Sequence, residues 1–320
     1  MKLWLDLETF SHVPIKHGVD RYAEEARILL VAYALDSGPV HVWDVTATPD
    51  APPPDLVAAL QNPRVEVWAH NSRFDRTVLR HVMPSLCPPV ERWRDTMVLA
   101  YLHGCPGALG QLSEIFALEQ GKLDEKKLVR FFTVPNKRHE VHPTRVTHPT
   151  EWARFVAYAA RDIDAMRELY RKLPKWNWTP TEIALWHLDQ RINDRGIAID
   201  LPLVEAALVA IDAEQTRLAE QVHTQTAGAL KASTQRDALL AYLAQRYGVQ
   251  VDDLQAATVD ALLASGELPE PVVKLLQNRR QATTSSTAKY KTLLGAVSND
   301  GRLRGTLQFA GAGRTGRFCL

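Results

Sequence analysis

Regularly spaced apolar residues mark the N-terminal part of the chain as β-rich. In residues 2–9, KLWLDLET, leucine occupies every second position, as in a strand with one buried and one functional face. Asp6 and Glu8 then point to the same side. Two apolar segments separated by the turn sequence Asp36-Ser-Gly-Pro predict an antiparallel hairpin, and a further apolar strand follows. The predicted strands are 2–9, 27–35, 40–45 and 65–68.

Helical periodicity dominates the remainder of the chain. A helix from about 72 to 81 follows the fourth strand, and a long amphipathic helix at 149–173 ends at Pro174. Strands followed by helices predict an α/β layered domain. The other predicted helices are 95–102, 109–118, 181–194, 201–226, 235–247, 258–264 and 270–296. Only the segment from Arg302, RLRGTLQFA, indicates a late strand.

The Pro- and Trp-containing stretch at 174–182 breaks this pattern, so we expect domains at 1–175 and 176–320, the second mainly helical. With 320 residues, 46% of them hydrophobic, the chain has room for both. No apolar run approaches the roughly 18 residues of a membrane span. The N-terminus opens on a charged strand, not a signal peptide, so we expect a soluble intracellular protein without a membrane partner.

Charge and cysteine usage narrow the chemistry further. The three cysteines are far apart and form no CxxC pair, which argues against a disulfide framework or a structural zinc site. Net charge is only +1, but nine Lys or Arg and one acid, Asp300, lie between Lys274 and Arg317. This charge pattern is typical of a surface that faces phosphates. The alternative interpretation is a solvated basic face whose cations pair with acids elsewhere in the fold.

Acidic residues form the chemically most informative pattern. Asp6 and Glu8 share a strand face, while Tyr158 and Asp162, four residues apart, share a helix face. Asp75 lies in the first turn of a helix that follows a strand, where the sheet edge can present it to the same cleft. Clustered carboxylates are tolerated mainly around divalent cations, and oxygen ligands favour Mg²⁺ or Mn²⁺. Two such ions about 4 Å apart promote in-line phosphoryl displacement.

Each of these motifs is weak alone, but their order and spacing resemble the proofreading 3′→5′ exonucleases with Asp-Glu-Asp-Asp-Tyr sites. LDLET is similar to the first motif of that family, HNSRFD to the second and YAARD to the third. The resemblance implies a ribonuclease H-like fold with a mixed five-stranded sheet. A sister group carries His five residues before the last Asp, where this chain has Ala157, so the tyrosine subtype is favoured.

The resemblance also implies roles for individual residues. Asp6 would bridge two metal ions, Glu8 and Asp162 would complete one metal site, and Asp75 would contribute to the second. Tyr158 would hold the attacking water. Substrate contacts are implied for residues in the first two motifs, namely Thr9, Asn71 and Phe74. Arg73 and Arg76 flank Asp75, and we expect them to be solvated rather than catalytic.

The second half resembles phage-type family A DNA polymerases. LDQRINDRGIAIDLPLVEAA, the basic segment QNRRQATTSSTAKYKTLL and GTLQFAGAGRTGRF carry this resemblance. It implies a thumb that follows duplex DNA, with contacts expected at Arg279, Arg280, Lys289 and Lys291. It also implies that the chain stops before the palm, lacks the palm aspartates, and by itself degrades DNA without extending a primer. The expected location is then the cytoplasm of a bacterial or phage-infected cell.

Two further functions remain open on the sequence. A ribonuclease D-like RNA 3′ exonuclease shares the fold and the acids, although the thumb-like half argues for DNA. A non-catalytic DNA-binding fragment of a polymerase, associated with a missing palm and fingers segment, is the alternative from a different functional class.

Overall fold

The computed structural model describes residues 1–119, 125–135, 142–283, 287–312 and 315–319. The chain divides into two compact units, one formed by 1–199 together with 296–320 and the other by 200–295. The domain boundary expected at 175/176 stays a prediction, because a division into compact units does not show where one domain of the family ends and the next begins. The described parts of the chain contain no helix with the length and apolar character needed to cross a membrane.

The first unit is built on a mixed five-stranded sheet. Its strands are β1 (Lys2–Phe10), β2 (Arg27–Leu35), β3 (His41–Asp44), β4 (Glu66–Ala69) and β5 (Trp93–Asp95). Their order is β3-β2-β1-β4-β5, with β1 in the centre, antiparallel to β2 and parallel to β4. This arrangement confirms the ribonuclease H-like sheet implied by the resemblance to the proofreading exonucleases. The pattern missed β5, which is too short to show an alternation.

Eight helices flank this sheet within the described residues. They are α1 (Val19–Ala23), α2 (Pro54–Gln61), α3 (Ser72–Val82), α4 (Thr96–Tyr101), α5 (Leu109–Ile115), α6 (Lys126–Thr133), α7 (Pro149–Lys172) and α8 (Pro180–Arg195). The long helix expected at 149–173 is confirmed. Helices α1 and α6 were not predicted, since five to eight residues give too few turns for a clear apolar stripe.

Both faces of the central strand are buried. The leucines of β1 pack with Val78 and Leu79 of α3 in one hydrophobic core. Trp4 and Phe10, on the opposite face, pack with Phe155 and Ile163 of α7 in a second core. The side of β1 that carries Asp6 and Glu8 is therefore covered by α7, and this covering helix supplies Tyr158 and Asp162.

The C-terminal stretch returns to the first unit as short strands: β6 (Ile197–Ala198) pairs with β7 (Arg302–Leu303), and β8 (Gln308–Ala312) pairs with β9 (Arg317–Cys319). The single strand expected from Arg302 was therefore wrong, since it is interrupted between Leu303 and Gln308. Gly305 lies in this gap with φ +68° and packs against the Arg73 guanidinium, where a Cβ would collide.

The second unit is helical, with α9 (Leu201–Gln225), α10 (Arg236–Tyr247), α11 (Ala256–Ser265), α12 (Glu270–Ala282) and α13 (Ala288–Ala296). The mainly helical region is confirmed, but the single helix expected at 270–296 was wrong. Helix α12 ends in a run of Thr and Ser residues, and the Thr283 hydroxyl donates to the Arg279 carbonyl at 2.8 Å. Such hydroxyls compete with helical backbone hydrogen bonds. Residues 284–286 lie outside the described part of the chain.

Candidate active site

Three carboxylates from two elements converge on one face of the sheet. Asp6 and Glu8 project from β1, and Asp162 projects from α7, which crosses that face. Each offers an oxygen, and these oxygens all lie within 4.8 Å of one another. Glu8 and Asp162 are buried, at 8% and 7% exposure, and Asp6 is partly buried. Such a set of oxygen donors fits a hard divalent cation, because the uncompensated charges would otherwise repel one another.

Asp75 approaches from the opposite face of the sheet. Strands β1 and β4 pair only as far as Trp4 and Trp68, so the Leu7 N–H lies beyond the end of this pairing. That N–H donates to Asp75 Oδ1 at 3.0 Å. Asp75 is only 2% exposed, and burial together with the charge of Asp6 raises the pKa of its carboxyl. Asp75 is outside the 4.8 Å group but interacts electrostatically with Asp6.

The Tyr158 side chain completes the site one helical turn before Asp162. It is 5% exposed. Burial, and next the negative charges of Asp162 and Glu8, raise its pKa far above the ordinary value, and the hydroxyl donates a hydrogen bond to Asp162. Tyr158 is therefore a neutral donor at any physiological pH. Ala157, at the position of the sister group's histidine, is exposed on the other side of α7.

The start of α3, which holds Asp75, is fixed by Asp95. Asp95 caps its own helix α4 through the Met97 N–H at 2.8 Å. The same carboxylate accepts hydrogen bonds from the Asn71 N–H at 3.0 Å and the Ser72 N–H at 2.7 Å. Asn71 adopts the left-handed conformation, with φ 64°, which asparagine tolerates better than most residues. One side chain thus anchors two helix N-termini.

A cleft of about 580 Å³ opens beside the acid cluster. Glu8, Thr9 and Phe74 line it, together with apolar residues near 13–15 and 129–135. The Thr9 hydroxyl lies 2.8 Å from the Tyr22 hydroxyl, and Phe74 packs on the Tyr22 ring at a centroid distance of 5.7 Å. Asn71 is exposed and lies away from this cleft, lining a different cavity.

Among the cleft residues that sequence analysis missed, three carry a phenol or a positive charge. Tyr22 and Arg130 lie on the unpredicted helices α1 and α6, and Lys16 lies in a short 3₁₀ turn. None of them belongs to a spaced motif, so only the fold reveals their position. Lys16 and Arg130 place exposed positive charge on a lining that is otherwise largely apolar.

Arg73 and Arg76 correct one expectation. Both were expected to be solvated, but Arg76 is 4% exposed and pairs with Asp194 at 2.6 Å. Arg73 pairs with the buried Asp20 at 2.5 Å. The reason is that α3 is covered on this side by α1 and α8, a contact that helical periodicity alone does not show.

The basic segment Lys274–Arg317 is divided between the two compact units. Part of its charge is paired, as the alternative interpretation held: Lys274 with Glu270 at 2.7 Å and Arg280 with Asp260 at 2.8 Å. Arg279 is partly buried and donates to the Ser233 carbonyl. Lys289 and Lys291 are exposed on α13.

No protein-family model matches the sequence. A DNA polymerase of Bacillus phage SP02 is 34% identical over 326 aligned residues, which cover 99% of this chain and 49% of the polymerase. The chain is thus similar to a phage DNA polymerase along nearly its whole length. The chain spans about half the length of the relative it matches.

One solved structure shares the fold of this chain along nearly its whole length. The chain is similar in fold to the POL domain of Pol1 from M. smegmatis in complex with DNA primer-template and dNTP, with a TM-score of 0.56 and 18% identity over 99% of this chain and 50% of that chain. Brucella melitensis NrnC, solved also with bound Mg²⁺, gives TM-scores of 0.39 and 0.38 at 18% identity over 59% of this chain and 81% of that chain.

Proposed function

We propose that this chain is a metal-dependent 3′→5′ exonuclease that removes nucleotides from DNA 3′ ends. The observation that carries the proposal is the convergence of Asp6, Glu8 and Asp162 within 4.8 Å, on a sheet face that adjoins a cleft of about 580 Å³. Clustered carboxylates repel one another and destabilise the fold unless a divalent cation binds between them.

The four acids divide between two ions in this proposal. Asp6, Glu8 and Asp162 hold one Mg²⁺ or Mn²⁺, and Asp75, next to Asp6, contributes to the second. When bound, such a pair activates water and stabilises the leaving oxygen of the phosphodiester. The buried backbone contact between Asp75 and Leu7 fixes the Asp75 carboxylate beside the first site.

Tyr158 has a positioning role in this reaction. Its raised pKa keeps the hydroxyl protonated. Because its one proton is donated to Asp162, it orients the attacking water by accepting a hydrogen bond from it and does not remove the proton of that water. The hydroxyl is held by Asp162, one helical turn further along α7, which places it at the edge of the acid cluster.

In this proposal the cleft beside the acids binds the 3′ end of the substrate. Its apolar walls, with Thr9 and Phe74 near Glu8, suit a terminal nucleotide of a single-stranded 3′ end. Lys16 and Arg130 provide charge for the phosphates. The homology to a phage DNA polymerase favours DNA over RNA and a proofreading role. In this proposal duplex DNA follows the exposed lysines Lys289 and Lys291, with Arg279 and Arg280 close in sequence.

A 5′-labelled single strand incubated with Mg²⁺ tests the proposal. We expect stepwise shortening from the 3′ end, and loss of at least about 100-fold in rate for Asp6→Asn, because even indirect metal-site contacts are worth 10–100-fold. Asp50→Asn is the matched control, since Asp50 is exposed in a loop of the same unit. A parallel RNA strand compares the two substrate classes.

Retained duplex binding without nuclease activity in either Mg²⁺ or Mn²⁺ would instead support the non-catalytic DNA-binding alternative. Full activity of Asp6→Asn, at a normal melting temperature, would place the reaction elsewhere in the chain.

A further inference from the structure

A second cavity, of about 220 Å³, lies in the first unit at the start of α3 and α4. Part of its wall is aromatic and comes from Tyr101, Trp186 and Phe309. The polar part of its lining consists of Asn71, Arg73, Asp95, Asp189, Gln190 and Gln308. None of the four proposed metal ligands lines it, so it is separate from the acid cluster.

Asp189 contributes a buried carboxylate, one oxygen of which lacks a hydrogen-bond donor among the described residues. The residue is 1% exposed. Its Oδ2 accepts hydrogen bonds from Gln190 Nε2 at 3.0 Å and Asn193 Nδ2 at 3.1 Å. Its Oδ1 is buried and accepts none from the described residues. An unsatisfied buried acceptor is costly, so a ligand or water that donates to Oδ1 is required.

Arg73 supplies the opposite polarity in the same cavity. Its Nη2 donates a hydrogen bond to Asp20 Oδ2 at 2.5 Å. Its buried Nε has no hydrogen-bond acceptor in the described part of the chain. Arg73 is close enough to act electrostatically on Asp189. A single occupant must therefore donate hydrogen bonds to one side of the cavity and accept one from the other.

The size and the walls of the cavity point to a flat occupant. At roughly 30 Å³ per water molecule, 220 Å³ has room for about seven waters or for one ring system. Aromatic side chains next to polar groups are the usual surroundings of an unstacked nucleobase. Asn71 and Gln308 are exposed at the rim, so a sugar attached to such a base has a way out to solvent.

We propose that this cavity binds an unpaired guanine base. Guanine has adjacent N1–H and N2–H donors for the two lone pairs of Asp189 Oδ1, and O6 and N7 are its usual acceptors for arginine. Thymine offers one ring donor, and adenine and cytosine only one donor group. The site is additional to the exonuclease site, and the proposal does not rest on the function proposed above.

Isothermal titration calorimetry with the whole chain and free nucleosides at pH 7.5 tests this inference. Burial raises the pKa of Asp189 to about 6, so the carboxylate is ionised at that pH. Inosine is guanosine without the 2-amino group. Because a hydrogen bond to a charged group is worth about 10- to 100-fold, guanosine should bind at least about tenfold tighter than inosine.

Asp189→Asn keeps the shape and can still accept the bonds from Gln190 and Asn193 through its oxygen. It places an amide N–H₂ where Oδ1 stood. The affinity for guanosine should therefore fall by at least about tenfold, and the ratio of the guanosine and inosine affinities should fall to about one. Asp6→Asn and Asp50→Asn are the controls, and both should bind guanosine like the unchanged protein. This contrast separates the cavity from the acid cluster.

The proposal fails if guanosine does not bind the unchanged protein at millimolar concentration, or if inosine binds equally well. It also fails if crystals soaked in guanosine show only water in the cavity. If Asp189→Asn does not fold, as judged by circular dichroism, the guanosine and inosine comparison on the unchanged protein still decides.

Discussion

At the scale of single residues, the proposed chemistry depends on which groups carry charge. Burial and neighbouring acids raise the pKa values of both Asp75 and Tyr158. For the carboxyl, bound cations would reverse this effect, because positive charge favours the ionised form. For the phenol, protonation persists, and its role is limited to hydrogen bonding.

Tyr158→Phe isolates that role. The ring packs in the core with Phe155 and Ile163, and phenylalanine preserves this packing. We expect kcat for 3′-end hydrolysis to fall about 10- to 100-fold, below the usual range for loss of a general base, with KM changed little. Single-turnover and steady-state kinetics measure both values. A large rise in KM at constant kcat would show that Tyr158 binds the substrate instead.

At the scale of elements, Asp95 links the helix that presents Asp75 to its neighbour α4. It accepts backbone hydrogen bonds from Asn71 and Ser72 at the start of α3, and from Met97 in α4. The residue is 1% exposed, so water does not replace it easily. The position of Asp75 thus depends on a side chain distant in sequence.

Asp95→Ala should destabilise the first unit by about 2–5 kcal/mol, since it removes caps from two helices and leaves buried donors unsatisfied. Exonuclease activity should fall with it, because α3 loses its anchor. Urea unfolding measures the loss. Thr179→Ala removes one exposed cap of α8, at 3.3 Å, and should cost no more than about 1 kcal/mol. Equal losses in the two variants would contradict the double-cap interpretation.

At the scale of the whole molecule, net charge conceals an uneven distribution. The chain carries +1 overall, and several cations of the Lys274–Arg317 segment are engaged in ion pairs. Lys289 and Lys291, both exposed on α13, have no ion-pair partner among the described residues. If the proposed function holds, these two lysines contact duplex phosphates.

The double variant Lys289→Gln/Lys291→Gln should weaken duplex DNA binding while leaving single-strand hydrolysis unchanged. If each lysine neutralises one phosphate, the slope of log K against log salt should become shallower by about 1.8. Fluorescence anisotropy across a salt series measures it. Lys231→Gln, an exposed lysine of the same unit, is the control. An unchanged slope in the double variant would remove α13 from the DNA path.

The sequence by itself determined the parts of the fold that depend on local periodicity. Alternation in β1 set Asp6 and Glu8 on one face, and helical spacing set Tyr158 and Asp162 on one face of α7. The mixed sheet was implied only by the resemblance of these motifs to the proofreading exonucleases. Each pair is held by one continuous element, so its geometry is fixed by the backbone period of that element.

Only the tertiary structure decided how these elements meet. It showed that α7 covers the acidic face of β1, that Asp75 arrives from the other side past the end of β4, and that Arg76 is buried against α8. It also showed that the C-terminal strands belong to the first unit and that Asp189 is buried. These contacts join residues far apart in the chain, and their energies depend on packing and burial that no local pattern records.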